Sequence, residues 1–181
     1  YSVSNTNSKI NWFINLNKSI DLNMSSLFYS NPIQIHNNTI VISTDPYLYL
    51  IDSNTGTTIF KKAITSVTKP IISGNNLFLI TKDNLLVSID LNSGKILYSL
   101  SISQEIGNFL DSKNKEINIR FLSMLDDNLF FFLNNSYVVQ FNSLGSIEQI
   151  NKLPAKLGSL PIFINNSILY LNKKNKLIIL N

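Results

Sequence analysis

The sequence has no cysteine, one histidine (His36), one tryptophan (Trp12) and one arginine (Arg120), and only six glycines and five prolines among 181 residues. Without cysteine there is no disulfide framework, no thiolate-ligated zinc or iron–sulfur site and no thiol nucleophile. His36 stands beside the pair Asn37-Asn38, where it reads as a solvated turn residue, since a metal site or a Ser-His-Asp relay needs partners that converge on it. No Gly-rich phosphate loop, HExxH helix or GxSxG elbow occurs. No apolar run approaches the roughly 18 to 20 residues of a membrane-spanning helix, and Tyr1 does not open a signal peptide, so a secretion signal or lipid anchor would lie upstream of it.

What is present is a hydrophobic fraction of 44% against 14% charged residues, enough for a packed core. The net charge of +4 comes from 15 basic and 11 acidic side chains, and the lysines are scattered from Lys9 to Lys176 without a dense block. A nucleic-acid footprint of clustered Lys and Arg is therefore not expected. Asn is very abundant, the pattern of an AT-rich coding sequence in which Asn takes turn positions otherwise held by Gly or Asp. The sequons that start at Asn17, Asn23, Asn37, Asn134 and Asn165 read as by-products of that bias.

Internal repetition decides the fold class. Pro32 and Pro70, Asn38 and Asn76, Asp52 and Asp90, and Gly56 and Gly94 recur at one common spacing, and Asn128 and Asn166 repeat it further along. Within each unit, short apolar or alternating runs such as 40–42, 47–51 and 58–63 are rich in β-branched and aromatic residues, which predicts strands rather than helices. Asn37-Asn38, Asn75-Asn76, Asp127-Asn128 and Asn165-Asn166 separate the first two strands of each unit as expected of tight hairpins. Four strands per unit of about 40 residues is the pattern of a propeller blade. The expected blades are a remnant at 1–30, then 31–67, 68–119 with an insertion at 103–119, 120–157, and an incomplete 158–181.

Each unit closes on a motif that narrows the family. Asp52-x-x-Thr55-Gly56-x-x-x-Phe60 and Asp90-x-x-Ser93-Gly94-x-x-x-Tyr98 place a carboxylate at the end of the third strand, a Gly turn, and an aromatic in the fourth. Ser8 and Trp12 keep the same spacing, whereas Gln149 replaces the aromatic in a later unit. This resembles the tryptophan-docking repeat of the quinoprotein-like, PQQ-type β-propellers. The resemblance implies an all-β propeller of four-stranded antiparallel blades, about four of them here, as the C-terminal half of a seven- or eight-bladed ring. It also implies blade-docking roles for Trp12, Phe60, Tyr98, Asp52, Asp90, Gly56 and Gly94.

Quinoprotein dehydrogenases form the enzymatic branch of that family and hold a quinone with basic groups, carboxylates, calcium and, in many, a vicinal cysteine pair. Here the cysteine pair is missing and Arg120 is alone, so no cofactor, no metal and no catalytic residue is expected. Among non-catalytic members the repeat style is similar to the BamB-type lipoproteins of the outer-membrane β-barrel assembly machinery. That similarity implies a periplasmic, non-catalytic protein-binding scaffold, held at the outer membrane through an upstream lipid anchor, with that machinery as its protein partner and no nucleic acid. A PQQ-dependent alcohol or sugar dehydrogenase and a ligand-sensing propeller ectodomain are the alternatives. The insertion carries Glu105, Asp111, Glu116, Lys113 and Lys115 around Ile106, Phe109 and Leu110. Binding tends to reside on loops added to a rigid scaffold, so Phe109 and Leu110 are the candidate partner contacts.

Overall fold

The computed structural model describes residues 1–16, 33–111, 117–165 and 167–180. The sequons at Asn17 and Asn23, Pro32, the insertion residues Lys113, Lys115 and Glu116, and the turn residue Asn166 lie outside them.

Strands follow one another as meanders. A two-stranded sheet joins β1 (Ser2–Val3) to β2 (Ile10–Trp12), and a four-stranded sheet runs β3 (Gln34–His36), β4 (Thr39–Ser43), β5 (Leu48–Asp52), β6 (Thr58–Lys62). The next holds β7 (Ile71–Ser73), β8 (Asn76–Ile80), β9 (Leu85–Asp90) and β10 (Ile96–Ser101), again in chain order. Helix α1 (Ile102–Phe109) precedes the sheet of β11 (Ile119–Leu125), β12 (Asn128–Leu133), β13 (Tyr137–Asn142) and β14 (Ile147–Lys152). The last sheet has three strands, β15 (Ile162–Ile164), β16 (Ser167–Leu171) and β17 (Leu177–Leu180). The chain divides into two compact units, Tyr1–Lys82 with Val87–Tyr98 and Asp83–Leu86 with Ser99–Asn181, and the division passes through the β7–β10 sheet.

Burial explains the strand sequences. In β5, β8, β9 and β12 consecutive residues are buried, so both faces of the middle strands are covered and the sequence reads as unbroken apolar runs such as Leu77 to Ile80. The outer strands β6 and β14 are mostly exposed and carry polar residues, and β10 is half exposed. Each fully buried Leu, Ile or Phe of those middle strands contributes about 1.5 to 3 kcal/mol relative to exposure.

The hairpins at Asn37-Asn38 and 165–166 stand where expected, between His36 and Thr39 and between Ile164 and Ser167, whereas the other two differ by a residue. Register pairs Ser73 with Asn76 and Leu125 with Asn128, so the turns are Gly74-Asn75 and Asp126-Asp127, and Asn76 and Asn128 already belong to the following strands. Gly74 and Asn37 take positive φ at the first turn position, whereas Asp126 and Asp127 both do. Any residue that tolerates the left-handed region serves there, which is why reading Asn alone misplaces the turn.

The insertion also departs from expectation, forming helix α1. Ser101 caps it, its hydroxyl accepting from Gln104 N at 3.3 Å, while Ile102 and Ile106 are buried. The helix packs against β14. In the second unit Phe132, Val138, Leu153, Leu157 and Tyr170 form a buried cluster on which Phe163, Ile178 and Leu180 pack, and the Tyr170 hydroxyl donates to Ala155 O at 2.9 Å. Gly158 lies so close to the end of β16 that a Cβ there would meet Asn172 O at 2.4 Å.

Candidate functional site

The closing turns are the most regular polar feature. Asp52 Oδ1 accepts from Asn54 N at 3.0 Å, Thr55 N at 2.8 Å and the Thr55 hydroxyl at 2.9 Å, and Gly56 N donates to Asp52 O at 2.9 Å. One unit later, Asp90 Oδ1 accepts from Ser93 N at 2.7 Å and the Ser93 hydroxyl at 2.6 Å, with Gly94 N donating to Asp90 O at 2.8 Å. These bonds favour the charged carboxylate and lower the pKa of both groups below 3.8, the Thr55 backbone N–H leading at Asp52 and the Ser93 hydroxyl at Asp90. Each turn is tied back to its sheet, Ser53 N donating to Asn38 O and Leu91 N to Asn75 O, both at 2.8 Å.

Other turns use other residues. Ser4 takes the acidic position before β2: Ser8 N donates to Ser4 O at 2.9 Å, Ser8 has φ 56°, and Asn7 Oδ1 accepts from Lys9 N at 3.0 Å. Thr55 and Ser93 hydroxyls accept from Thr57 N and Lys95 N in the same manner, each at 3.2 Å. After β13 it is Asn142, whose Oδ1 accepts from Leu144 N at 3.1 Å and Ser146 N at 3.0 Å, in a turn one residue shorter. The spacing from Ser8 to Trp12 was the only sequence sign of the first; Asn142 lacks both the acid and the four-residue interval.

The aromatics stack on these turns. The Trp12 ring covers Gly56 so closely that a Cβ there would lie 2.6 Å from Cδ2, and its indole N–H donates to Ser53 O at 2.9 Å. Phe60 covers Gly94 likewise, with Cδ1 2.9 Å from where a Cβ would stand. Both glycines have positive φ, 73° and 66°, so conformation and contact together require Gly. Tyr98 is half-buried, and that burial pushes its hydroxyl up to about 12. Gln149, at the equivalent place, is exposed on β14 opposite Gln140.

Phe109 and Leu110 emerge at the end of α1 with relative exposures of 48% and 53%, beside the buried Ile106. His36 is bonded to the neighbouring Asn37 side chain at 3.2 Å and closes β3. Arg120 donates through its guanidinium to Leu157 O and Gly158 O, a packing role within the second unit. Among the described residues no three His, Asp or Glu side chains gather as a metal would require, and no helix is long and apolar enough to cross a membrane.

No family model and no curated protein matches the chain. Solved structures do: BamB from Moraxella catarrhalis superposes with a TM-score of 0.65 at 14% identity, over 82% of this chain and 42% of that one. The fold is a β-propeller. Two computationally designed proteins are also similar: Ika8 (TM-score 0.57, 14% identity, 81% of this chain and 44% of that one) and Ika4 (TM-score 0.59, 13% identity, 84% and 90%). The propeller blades here thus span less than half the length of BamB and nearly all of Ika4. In propeller terms the closing turn and its docked aromatic are the blade-to-blade seam between consecutive sheets of the first unit.

Proposed function

We propose that this chain is a non-catalytic, protein-binding propeller scaffold, acting at the periplasmic face of the outer membrane as an accessory factor of β-barrel protein assembly. The observation that supports it is the likeness to BamB together with what the rigid blades display: an apolar helix end, Phe109-Leu110, inserted where the repeat is interrupted. Large exposed apolar residues on an inserted element suit contact with another protein. The hydrogen-bonded polar side chains that recur, Asp52, Asp90 and Asn142, are engaged within their own turns.

The test is capture of the barrel-inserting subunit of the assembly complex by the full-length protein. Phe109→Asp with Leu110→Asp is expected to reduce that capture at least about tenfold, as truncation of central apolar contacts does, with an unchanged melting temperature. Failure of the unaltered full-length protein to retain the subunit, or alcohol oxidation after reconstitution with a quinone and calcium, overturns the reading.

A further inference from the structure

The fold sorts charges that are scattered along the chain. Residues 120–181 carry Arg120, Lys152, Lys156, Lys173, Lys174 and Lys176 against Asp126, Asp127 and Glu148. In the β11–β14 sheet the acids lie at one end: Asp126 and Asp127 form the turn that joins Leu125 to Asn128, and Glu148 sits beside the Phe141–Ile147 pair, accepting from the Gln140 side chain at 2.8 Å. The bases lie at the other. Arg120 adjoins the Ile119–Leu133 pair and Lys152 stands opposite Tyr137, so both flank the turn at 134–136.

The connection from β14 to β15 carries this basic end on to the next sheet. Leu153 N donates to Ser136 O at 2.7 Å, Leu157 bridges to Asn172, and Lys173 N donates to Lys156 O at 3.2 Å. The turn between β16 and β17 is closed within itself by Asn172, whose Oδ1 accepts from Lys174 N at 2.8 Å and Lys176 N at 3.0 Å. Lys152, Lys156, Lys173, Lys174 and Lys176 are exposed, and the Arg120 guanidinium donates to Leu157 O and Gly158 O beside them. Acids reach this end from α1, which packs on β14 and holds Glu105 with Asp111 just beyond it, and from Asp83, beside the Asn84 carbonyl that accepts from Ile102 N at 3.1 Å. Among the described residues of the second unit, every base is nevertheless at this end, and Asp126, Asp127 and Glu148 have no base at theirs. Such a polarity suits a broad negative surface. Neither 152–161 nor 171–177 contains an aromatic on which a nucleobase could stack. A layer of lipid headgroups asks only for number and nearness of charge, and a cluster of about four to eight bases meets it.

We propose that the end of the second unit bearing Lys152, Lys156, Lys173, Lys174 and Lys176 docks on a bilayer surface through anionic phospholipid headgroups, with the Asp126, Asp127 and Glu148 end turned away from it. Each lysine is attracted within a Debye length of the headgroups and the carboxylates are repelled, so the two ends together set the orientation. The inference rests on the reading of the chain as a scaffold at a membrane and names the end that meets it, leaving Phe109 and Leu110 to the protein partner.

Co-sedimentation of the intact, unlipidated chain with sucrose-loaded vesicles of about two parts phosphatidylcholine to one part phosphatidylglycerol tests it. Binding is expected, falling as salt rises from about 0.05 to about 0.3 M and weakening about tenfold in Lys174→Gln/Lys176→Gln. The melt of that variant should be unchanged, because Asn172 accepts there from backbone N–H groups. Lys9→Gln/Lys95→Gln removes the same charge from exposed positions of the first unit and should bind as the parent does. Equal weakening in the two double variants, or equal binding to phosphatidylcholine alone, overturns the proposal. So does retention of an acidic peptide or a single-stranded oligonucleotide through these lysines with no binding to the mixed vesicles. Absence of vesicle binding while the barrel-inserting subunit is still captured removes this docking end alone; vesicle binding without capture removes the assembly role and leaves the docking end standing.

Discussion

At Gly56, two requirements meet on one residue: a left-handed φ of 73° and a ring 2.6 Å from where a Cβ would stand. Gly56→Ala must strain the turn and lift Trp12, and is expected to destabilise by at least about 1 kcal/mol in urea unfolding. Trp12→Ala leaves the Ser53 carbonyl without its donor and opens a gap; the half-buried position sets its cost near the lower end of about 3 to 5 kcal/mol. A Gly56→Ala chain as stable as the parent would show that the ring is not seated on the turn. The carboxylates make a second statement at this scale. Asp52 and Asp90 have folded pKa values below 3.8, so their turns contribute stability that is present above that value and lost as pH falls through the depressed range. Tyr98 acts at the other limit: raised to about 12, its neutral form is favoured in the folded chain, and that contribution is present below pH 10 and lost as pH climbs toward 12. Melting temperature is therefore expected to drop on both sides. The acid-side drop should be shallower in Asp52→Asn/Asp90→Asn, because an amide, as Asn142 shows, closes such a turn without titrating.

Among the elements, α1 is the one whose start depends on a single side chain. Ser101→Ala removes the hydroxyl that accepts from Gln104 N and is expected to cost about 1 kcal/mol, seen as faster amide exchange across the first turn of the helix; unchanged exchange there would show the cap to be idle. This helix also marks where sequence reading was weakest. The strands were legible because both-face burial writes unbroken apolar runs into β5, β8 and β12, and the recurring Asp and Gly mark two closing turns. The helix was not, because it falls where the repeat breaks and the strand period gives no guide, although Ser101 with Gln104 three residues on and Ile102 with Ile106 are helix signals. Turns at Ser4 and Asn142 escaped for a different reason: backbone geometry is kept there by side chains that share only hydrogen-bonding capacity with aspartate.

For the whole molecule, the two compact units have unlike aromatic endowments. The second is packed with phenylalanines, Phe131 against Phe141 at 4.8 Å and Phe130 against Phe163 at 5.0 Å, and its described tyrosines are Tyr137 and Tyr170. The chain's single indole is in the first unit, seated on the Gly56 turn with its N–H held by Ser53 O. Intrinsic tryptophan emission is consequently a one-site signal, and it shifts when the first sheet parts from the second. Tyrosine absorbance and calorimetry register both units, so any gap between an emission melt and a calorimetric melt measures how far the two halves unfold independently.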